Sequence, residues 1–337
     1  MEKFYPIICG LSGTALTKDE KIFIQEYRPW GVILFERNCS SKEQLKSLTN
    51  NIKEIYGTEI PILIDQEGGR VSRVNYKSAF KFLSSKKLAG LRRKFGDIGD
   101  KIFYLNYKLL SASLKELGIN VNTIPVLDIP SKNESGIIGD RSFSDDKQIV
   151  ACYGSEVIDI LNDCGIASVI KHIPGHGRAD IDSHIDLPVI NSVKSEMSLV
   201  DFYPFKYNSH CLLGMTAHIV YSDIDDKNMC TFSNKVISEI IRGEIGFTGT
   251  LMSDDISMKA IKLPLKVSAS KALEAGCDIV LHCNGNINEM NEIARIIEKK
   301  HDPILHNKKI TNLISKEVNI DTKTINSEMK KLMIQLK

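Results

Sequence analysis

The sequence predicts an α/β fold in which a single domain forms a (β/α)8 barrel, also called a TIM barrel. Eight short, mainly apolar runs rich in isoleucine and valine alternate with longer segments of helical periodicity. Runs that are apolar on both faces are typical of parallel strands buried between outer helices and a barrel interior. The predicted strands cover residues 5–10, 31–35, 60–65, 119–127, 168–172, 211–218, 249–254 and 278–283. Because no long linker interrupts the alternation, a closed barrel is favoured over the alternative, an open doubly wound sheet.

Capping residues predict several helix ends. The patterns Thr17-x-x-Glu20 and Ser40-x-x-Glu43 read as capping boxes that open the first two helices. Four glycines stand between a helical segment and the next apolar run, where a helix often ends on a glycine. They are Gly118, Gly165, Gly246 and Gly276. We expect residues 1–305 to form the barrel and the lysine-rich, amphipathic residues 306–337 to form a helical extension that packs on it.

Composition excludes several classes of function. The net charge of +2 gives no overall field that would favour nucleic acid or a membrane surface. The eight cysteines are dispersed without a C-x-x-C pair, which argues against a disulfide framework. The first residues, MEKFYPIICGLSG, lack the apolar core of a signal peptide, and no apolar run approaches the ~20 residues of a membrane helix. We therefore expect a cytoplasmic protein.

The ends of the predicted strands carry polar residues. Active sites of (β/α)8 barrels form at the carboxyl ends of the strands and in the loops that follow. A polar residue at the end of one strand could be a surface residue or a helix cap. Five strands that end in polar residues on one rim of the barrel predict a polar pocket and hence an enzyme. These residues are Asp65, Asp128, Lys171, His172, His218, Asp254 and Asp255.

Two motifs lie in loops after strands. In IDQEGGRVSR at 64–73, Asp65 ends the third strand and the two glycines allow a tight loop, although a plain acidic turn balanced by arginines is the alternative. In KHIPGHGRADIDSH at 171–184, Asp182 and His184 lie two residues apart, so that a turn can bring the carboxylate onto the imidazole. Such a pair can donate and accept a proton near neutral pH.

Two alternatives apply to the second motif. It could be a solvated polar loop, or its histidines could bind a metal. A metal site requires ligands held rigidly on strands or on one helical face, and these residues are spread along a loop broken by glycines. We therefore expect no metal and no cofactor.

A third motif, GFTGTLMSDDISM at 246–258, ends a strand in two adjacent carboxylates. Strand alternation lets one of them point into the barrel mouth, and Asp254 is the better candidate. A carboxylate at the pocket floor can attack an anomeric carbon. Asp255 is then expected to bond the neighbouring loop or to cap the next helix, and both carboxylates could instead be helix caps.

Together these segments resemble glycoside hydrolase family 3, and specifically its single-domain β-N-acetylhexosaminidases. The likeness runs from GVILFERN at 31–38 to DIVLHCN at 278–284, and includes GDRSF at 139–143, YPF at 203–205 and MTAH at 215–218. The resemblance implies that Asp254 is the nucleophile and that His184, paired with Asp182, is the acid/base. It also implies five residues that hold the sugar: Asp65, Arg73, Arg141, Lys171 and His172.

The resemblance further implies a retaining hydrolase that removes terminal GlcNAc from recycled cell-wall fragments, GlcNAc linked to anhydro-N-acetylmuramic acid with or without peptide. We expect a monomer. Phosphorolysis or β-glucosidase activity with the same apparatus remains open, and a non-catalytic sugar-binding module would require the loss of Asp254 or His184. The sequence departs from the family pattern at Arg178, where an acidic or small polar residue is commoner.

Overall fold

The computed structural model describes residues 3–130, 137–179, 187–300, 304–305 and 308–336. Within these residues, eight parallel strands form the body of the fold. They are β1 (Lys3–Gly10), β2 (Pro29–Leu34), β3 (Ile62–Ile64), β4 (Val121–Asn122), β5 (Ala167–Ile173), β6 (Leu213–Thr216), β7 (Thr250–Asp255) and β8 (Ile279–His282).

The sheet closes on itself. Each strand pairs in parallel with its neighbours in chain order, as in the register Met252↔Met215 between β7 and β6. The last strand, β8, pairs in parallel with β1 through Ile7↔Val280. This closure confirms the predicted barrel and excludes the open doubly wound sheet, whose first and last strands would have free edges.

Helices between the strands form the outer layer. They bury an apolar face against the barrel, as in α2, where Leu45, Leu48 and Ile52 face inward. The α-helices are α1 (Lys18–Tyr27), α2 (Lys42–Tyr56), α3 (Ser85–Phe95), α4 (Asp97–Glu116), α5 (Lys147–Asp163), α6 (Lys194–Leu199), α7 (Tyr203–Tyr207), α8 (Leu265–Ala275), α9 (Ile287–Lys300), α10 (Lys308–Ile314) and α11 (Thr322–Gln335). A π-helical segment, Val236–Glu244, lies between β6 and β7.

Each predicted apolar run overlaps one barrel strand, but the fourth strand is much shorter than predicted. Residues 119–127 were expected to be extended, and the strand covers Val121–Asn122 only. The side chain of Asn122 replaces part of the backbone ladder, because its Oδ1 accepts from Gln66 N at 3.0 Å and its Nδ2 donates to Gln66 O at 2.9 Å. Pro125, which has no backbone N–H, follows soon after.

The helix caps were predicted with one error. Thr17 and Glu20 form the expected capping box, with Glu20 N donating to Thr17 Oγ1 at 3.1 Å. The second helix is capped by Ser41 rather than Ser40, and Ser41 Oγ accepts from Gln44 N at 3.2 Å. Ser40 and Ser41 are both good cap residues, so the pattern could not decide between them. The four predicted helix-terminal glycines all have positive φ.

The C-terminal part of the chain lies against the barrel. Ile304–Leu305 pairs antiparallel with the start of β1, through Lys3↔Leu305. Helix α10 contacts β5, and α11 packs along α4, where Lys101 Nζ lies 2.5 Å from Glu328 Oε1. In the part of the chain that the structure describes, no helix is both long and apolar enough to cross a membrane.

Candidate active site

A cavity of about 170 Å³ lies at the carboxyl ends of the barrel strands. Apolar side chains, including Ile33, Met215 and Leu281, close parts of its wall. Its charged and polar lining comes from four strands, β3, β4, β5 and β7, or from the loops that follow them. These residues are Asp65, Glu67, Arg73, Arg141, Lys171, His172, His176, Asp254 and Asp255.

A larger cavity, of about 730 Å³, lies on the flank of the barrel between α3 and α5. Lys86, Arg93 and Tyr153 are among its lining residues. No barrel strand ends in it, and none of the predicted site residues lines it. Because the chemistry of this fold is performed at the strand ends, we place the active site at the smaller cavity.

Two carboxylates and three cations form a network on one side of the site cavity. Lys171 Nζ lies 2.8 Å from Glu67 Oε1 and 3.2 Å from Asp65 Oδ1. Arg141 binds Glu67 through two hydrogen bonds of 2.8 Å, and Arg73 Nη2 lies 3.3 Å from Asp65 Oδ2. Such bidentate pairs fix an arginine more firmly than a single contact does.

The network keeps both carboxylates ionised. Burial would raise the pKa of Glu67, but Arg141 and Lys171 outweigh it and lower that pKa to about 2. Asp65 is affected in the same way, and Lys171 and Arg73 hold its pKa well below its ordinary range against the effect of burial. Neither group can donate a proton near neutral pH. Both can accept hydrogen bonds from sugar hydroxyls.

A buried carboxylate, Asp128, orients the histidines beside the cavity. Its Oδ2 lies 2.7 Å from His172 Nδ1, and its Oδ1 accepts from His176 N at 2.7 Å. Burial raises the pKa of Asp128, but the His172 interaction outweighs it, so that the pKa lies below the ordinary value. The ionised carboxylate therefore fixes the proton of His172 on Nδ1 and leaves Nε2 to meet a ligand.

Asp254 and Asp255 end β7, and both border the cavity. The sequence predicted that only one of these carboxylates would face the cavity. The two differ in the hydrogen bonds that they accept. Asp255 accepts from Ser257 N and Oγ and from Cys283 N of the neighbouring loop, as expected. Asp254 accepts one hydrogen bond within the described residues, from Asp255 N at 2.7 Å. Its second carboxylate oxygen accepts no hydrogen bond from the part of the chain that the structure describes.

The pKa of Asp254 lies below the ordinary value. Burial acts in the opposite direction, but His218 and then His172 outweigh it. His218 is fully buried, with Nδ1 2.7 Å from Thr231 Oγ1 and Nε2 3.0 Å from the backbone oxygen of Asp255. His218, which follows β6, is thus hydrogen-bonded to the end of β7, and it helps to keep Asp254 ionised.

The structure brings six of the eight predicted site residues together in the cavity: Asp65, Arg73, Arg141, Lys171, His172 and Asp254. The remaining two, Asp182 and His184, lie outside the described residues. Within those residues, no group of three or more histidine, cysteine or acidic side chains is arranged to hold a metal ion.

Two residues that line the cavity, Glu67 and His176, were not predicted as site residues from the sequence. Glu67 binds two of the three cations, and strand-like alternation from Asp65 could have identified it. His176, which had been considered only as a metal ligand, is almost fully buried, and its Nδ1 has no partner among the described residues. Burial, followed by the effect of His172, lowers the pKa of His176 to about 4, so that its ring is neutral at pH 7.

Comparison with known proteins gives the family. The family described as the N-terminal domain of glycosyl hydrolase family 3 matches residues 9–316. A β-hexosaminidase from Alkalilimnicola ehrlichii is 37% identical over 284 residues, which cover 83% of this chain and 80% of that protein.

Solved structures agree with the sequence relatives. A glycoside hydrolase family 3 β-N-acetylglucosaminidase from Paenibacillus sp. is similar with a TM-score of 0.81 and 26% identity, over 98% of this chain and 61% of that one. NagZ from Neisseria gonorrhoeae gives a TM-score of 0.81 and 28% identity over 98% of both chains. The same protein in complex with N-trifluoroacetyl-D-glucosamine gives a TM-score of 0.80. The chain therefore belongs to glycoside hydrolase family 3, and it is a β-hexosaminidase on a (β/α)8 barrel.

Proposed function

We propose that the protein is a retaining exo-β-N-acetylglucosaminidase in which Asp254 forms a covalent glycosyl-enzyme. The observation that supports this most directly is the Asp254 carboxylate, whose pKa is lowered and which borders the cavity with one oxygen unpaired among the described residues. A nucleophile must be unprotonated and unobstructed. The pKa of Asp254 is lowered, and its carboxylate accepts one hydrogen bond within the described residues, whereas the Asp255 carboxylate is engaged by Ser257 and Cys283. A small cavity at the end of a barrel suits a terminal sugar rather than the middle of a long chain.

The pKa values of the other carboxylates support an acid/base that lies elsewhere. The leaving oxygen needs a donor whose pKa is near the working pH. Glu67 has a pKa of about 2, and Asp65 and Asp128 are also shifted downward, so these groups stay ionised. We propose that His184, oriented by Asp182, protonates the leaving oxygen and later removes a proton from the attacking water. Both residues follow Ala179 closely in the chain.

We propose that Asp65, Arg73, Arg141, Lys171 and His172 hold the hydroxyl and acetamido groups of the sugar. Their buried ion pairs and the fixed tautomer of His172 present donors and acceptors in set directions. Pre-positioned groups of this kind contribute to rate because they need not reorganise during the reaction.

For the natural substrate, we propose cytosolic cell-wall fragments in which GlcNAc is linked to anhydro-N-acetylmuramic acid, with or without peptide. The N-trifluoroacetyl-D-glucosamine bound to the Neisseria gonorrhoeae protein supports an N-acylated glucosamine in the cavity. We also propose that the chain acts as a monomer. We further propose that residues 306–337 serve as an extension that packs on the barrel.

Hydrolysis is favoured over phosphorolysis by the charge of the cavity. Each of its three cations, Arg73, Arg141 and Lys171, already pairs with a carboxylate. An incoming phosphate would have to compete with those carboxylates for a cation. Product analysis with and without phosphate distinguishes the two reactions, and p-nitrophenyl-GlcNAc beside p-nitrophenyl-glucose distinguishes a β-glucosidase.

The acid/base assignment is tested by the leaving group. A sugar alkoxide needs a proton to leave, whereas dinitrophenolate barely does. His184→Ala should therefore lower kcat/KM by roughly 10²–10⁴-fold on a disaccharide and far less on an activated aryl glycoside. Asp182→Asn should act in the same direction but less severely. Equal losses on both substrates would remove His184 from the chemistry.

A further inference from the structure

His176 is a buried histidine on the wall of the site cavity. It lines the cavity together with His172 and Asp254, and its exposed fraction is 3%. Its Nδ1 is enclosed and has no hydrogen-bond partner among the described residues. Buried polar atoms without a partner are uncommon in folded proteins, and an apolar side chain of similar size would avoid one here. The presence of a histidine therefore indicates a use for its other ring nitrogen, Nε2.

Contacts that do not involve the ring nitrogens hold His176 in place. Its backbone N–H donates to Asp128 Oδ1 at 2.7 Å. Its ring packs against the ring of His172, with centroids 5.3 Å apart and an angle of 64° between the two planes. The preceding residue is also fixed, because Gly175 O accepts from Tyr221 Oη at 2.8 Å. The ring thus keeps its position without a hydrogen bond from Nε2.

The His176 ring is neutral at pH 7. Burial, followed by the effect of His172, lowers its pKa to about 4. The three cations that line the same cavity already pair with carboxylates, as Lys171 Nζ does with Glu67 Oε1 at 2.8 Å. A neutral imidazole has one donor and one acceptor and needs no counter-ion. It therefore suits a neutral amide, which also presents an N–H donor and a carbonyl acceptor.

The position of His176 suits the C2 substituent of the sugar. If Asp254 attacks the anomeric carbon, the substituent on the next ring carbon lies close to this carboxylate. His176 borders the same cavity of about 170 Å³, and the charge of Asp254 acts on its ring. We propose that His176 is a specificity-determining residue, whose Nε2 hydrogen-bonds the acetamido group and selects an N-acetylated sugar over glucose. The inference rests on the proposed function, because it takes Asp254 as the nucleophile.

The inference predicts a changed preference between two sugars. His176→Leu should lower kcat/KM on dinitrophenyl-GlcNAc by roughly 5- to 150-fold, the range expected when a buried amide loses its partner. On dinitrophenyl-glucose, which has a hydroxyl at C2, the same variant should stay within about threefold of wild type, since it loses no such hydrogen bond. Dinitrophenolate barely needs a proton to leave, so the acid/base does not affect this comparison. His176→Asn, whose amide can also donate and accept, should recover part of the preference.

His282 supplies a matched control. It is fully buried at the end of β8, its Nδ1 also has no partner among the described residues, and it does not line the cavity. His282→Leu should lower the melting temperature and leave the ratio of kcat/KM on the two sugars unchanged. If the wild type prefers GlcNAc and His176→Leu keeps that preference, as the control does, the inference is wrong and His176 only packs the cavity wall.

NMR of the wild-type protein gives a test that does not depend on the folding of a variant. Saturating GlcNAc should shift the ¹⁵N resonance of His176 Nε2 and leave the ring resonances of His282 in place. An unmoved Nε2 resonance at saturation would overturn the inference. A wild-type enzyme that does not prefer GlcNAc to glucose would instead refute the proposed function, and the inference would fail with it.

Discussion

Replacing Asp128 with asparagine tests whether this carboxylate sets the tautomer of His172. Asp128 accepts hydrogen bonds from His172 Nδ1 and from the backbone N–H groups of His172 and His176. An asparagine offers one oxygen and one NH2 group in the same space. The backbone N–H groups can only donate, whereas the His172 ring can become an acceptor by moving its proton. We therefore expect the NH2 group to face His172 Nδ1 and the ring proton to move to Nε2.

The expected effects follow from this exchange. His172 Nε2 would then present a donor to a sugar hydroxyl that had donated to it, and an interaction worth about 1–3 kcal/mol would be lost. That loss corresponds to a decrease in kcat/KM of roughly 5- to 150-fold. The unfolding free energy should also fall by about 1–3 kcal/mol, because one buried donor of the His172 or His176 backbone is weakened.

The assay combines kcat/KM on p-nitrophenyl-GlcNAc with long-range ¹H–¹⁵N NMR of the imidazole rings. Asp225→Asn is a suitable control, because Asp225 also accepts several hydrogen bonds but does not line the cavity. Activity within twofold of wild type, or a His172 proton that remains on Nδ1 in Asp128→Asn, would refute the reasoning.

Two further predictions concern the stability of the protein at low pH and its activity after treatment with chelators. The depressed pKa of Glu67 means that its contribution to the unfolding free energy is present above its ordinary pKa of 4.5 and is lost as the pH falls toward about 2. Glu67→Gln should therefore lower the unfolding free energy at neutral pH and reduce its dependence on pH between 4.5 and about 2. An unchanged pH dependence would contradict the ion-pair network. Exhaustive EDTA or phenanthroline treatment should leave activity unchanged. A loss restored specifically by zinc would return His172, His176 and His184 to the role of metal ligands.

The barrel could be predicted because each of its strands is recognisable from a short stretch of sequence. Each buried parallel strand is an apolar run, and the polar residue that ends it lies at the rim whatever the details of packing. The sequence alone therefore assigns Asp65, Lys171, His172 and Asp254 to one pocket. Arg141 and Arg73, which lie in loops, were assigned from the family resemblance instead.

What could not be predicted depends on contacts between distant parts of the chain. Nothing near Asn122 indicates that its side chain bonds the backbone of Gln66 and shortens the fourth strand. The bidentate pair of Glu67 and Arg141 joins residues 74 positions apart. Arg178 appeared only as a departure from a pattern, and its carboxylate partners lie on other segments. Such tertiary pairings decide which charges are neutralised, and that information is absent from local spacing.

The central claim is that Asp254 forms a covalent bond with the sugar. A 2-acetamido-2-deoxy-5-fluoroglycoside should be turned over slowly enough to trap this intermediate, and proteolysis followed by mass spectrometry then locates the label. We predict one label per chain, on Asp254, and no label in Asp254→Ala, which should retain its fold and still bind GlcNAc. A label on Asp255, or full activity with no labelled residue, would contradict the account.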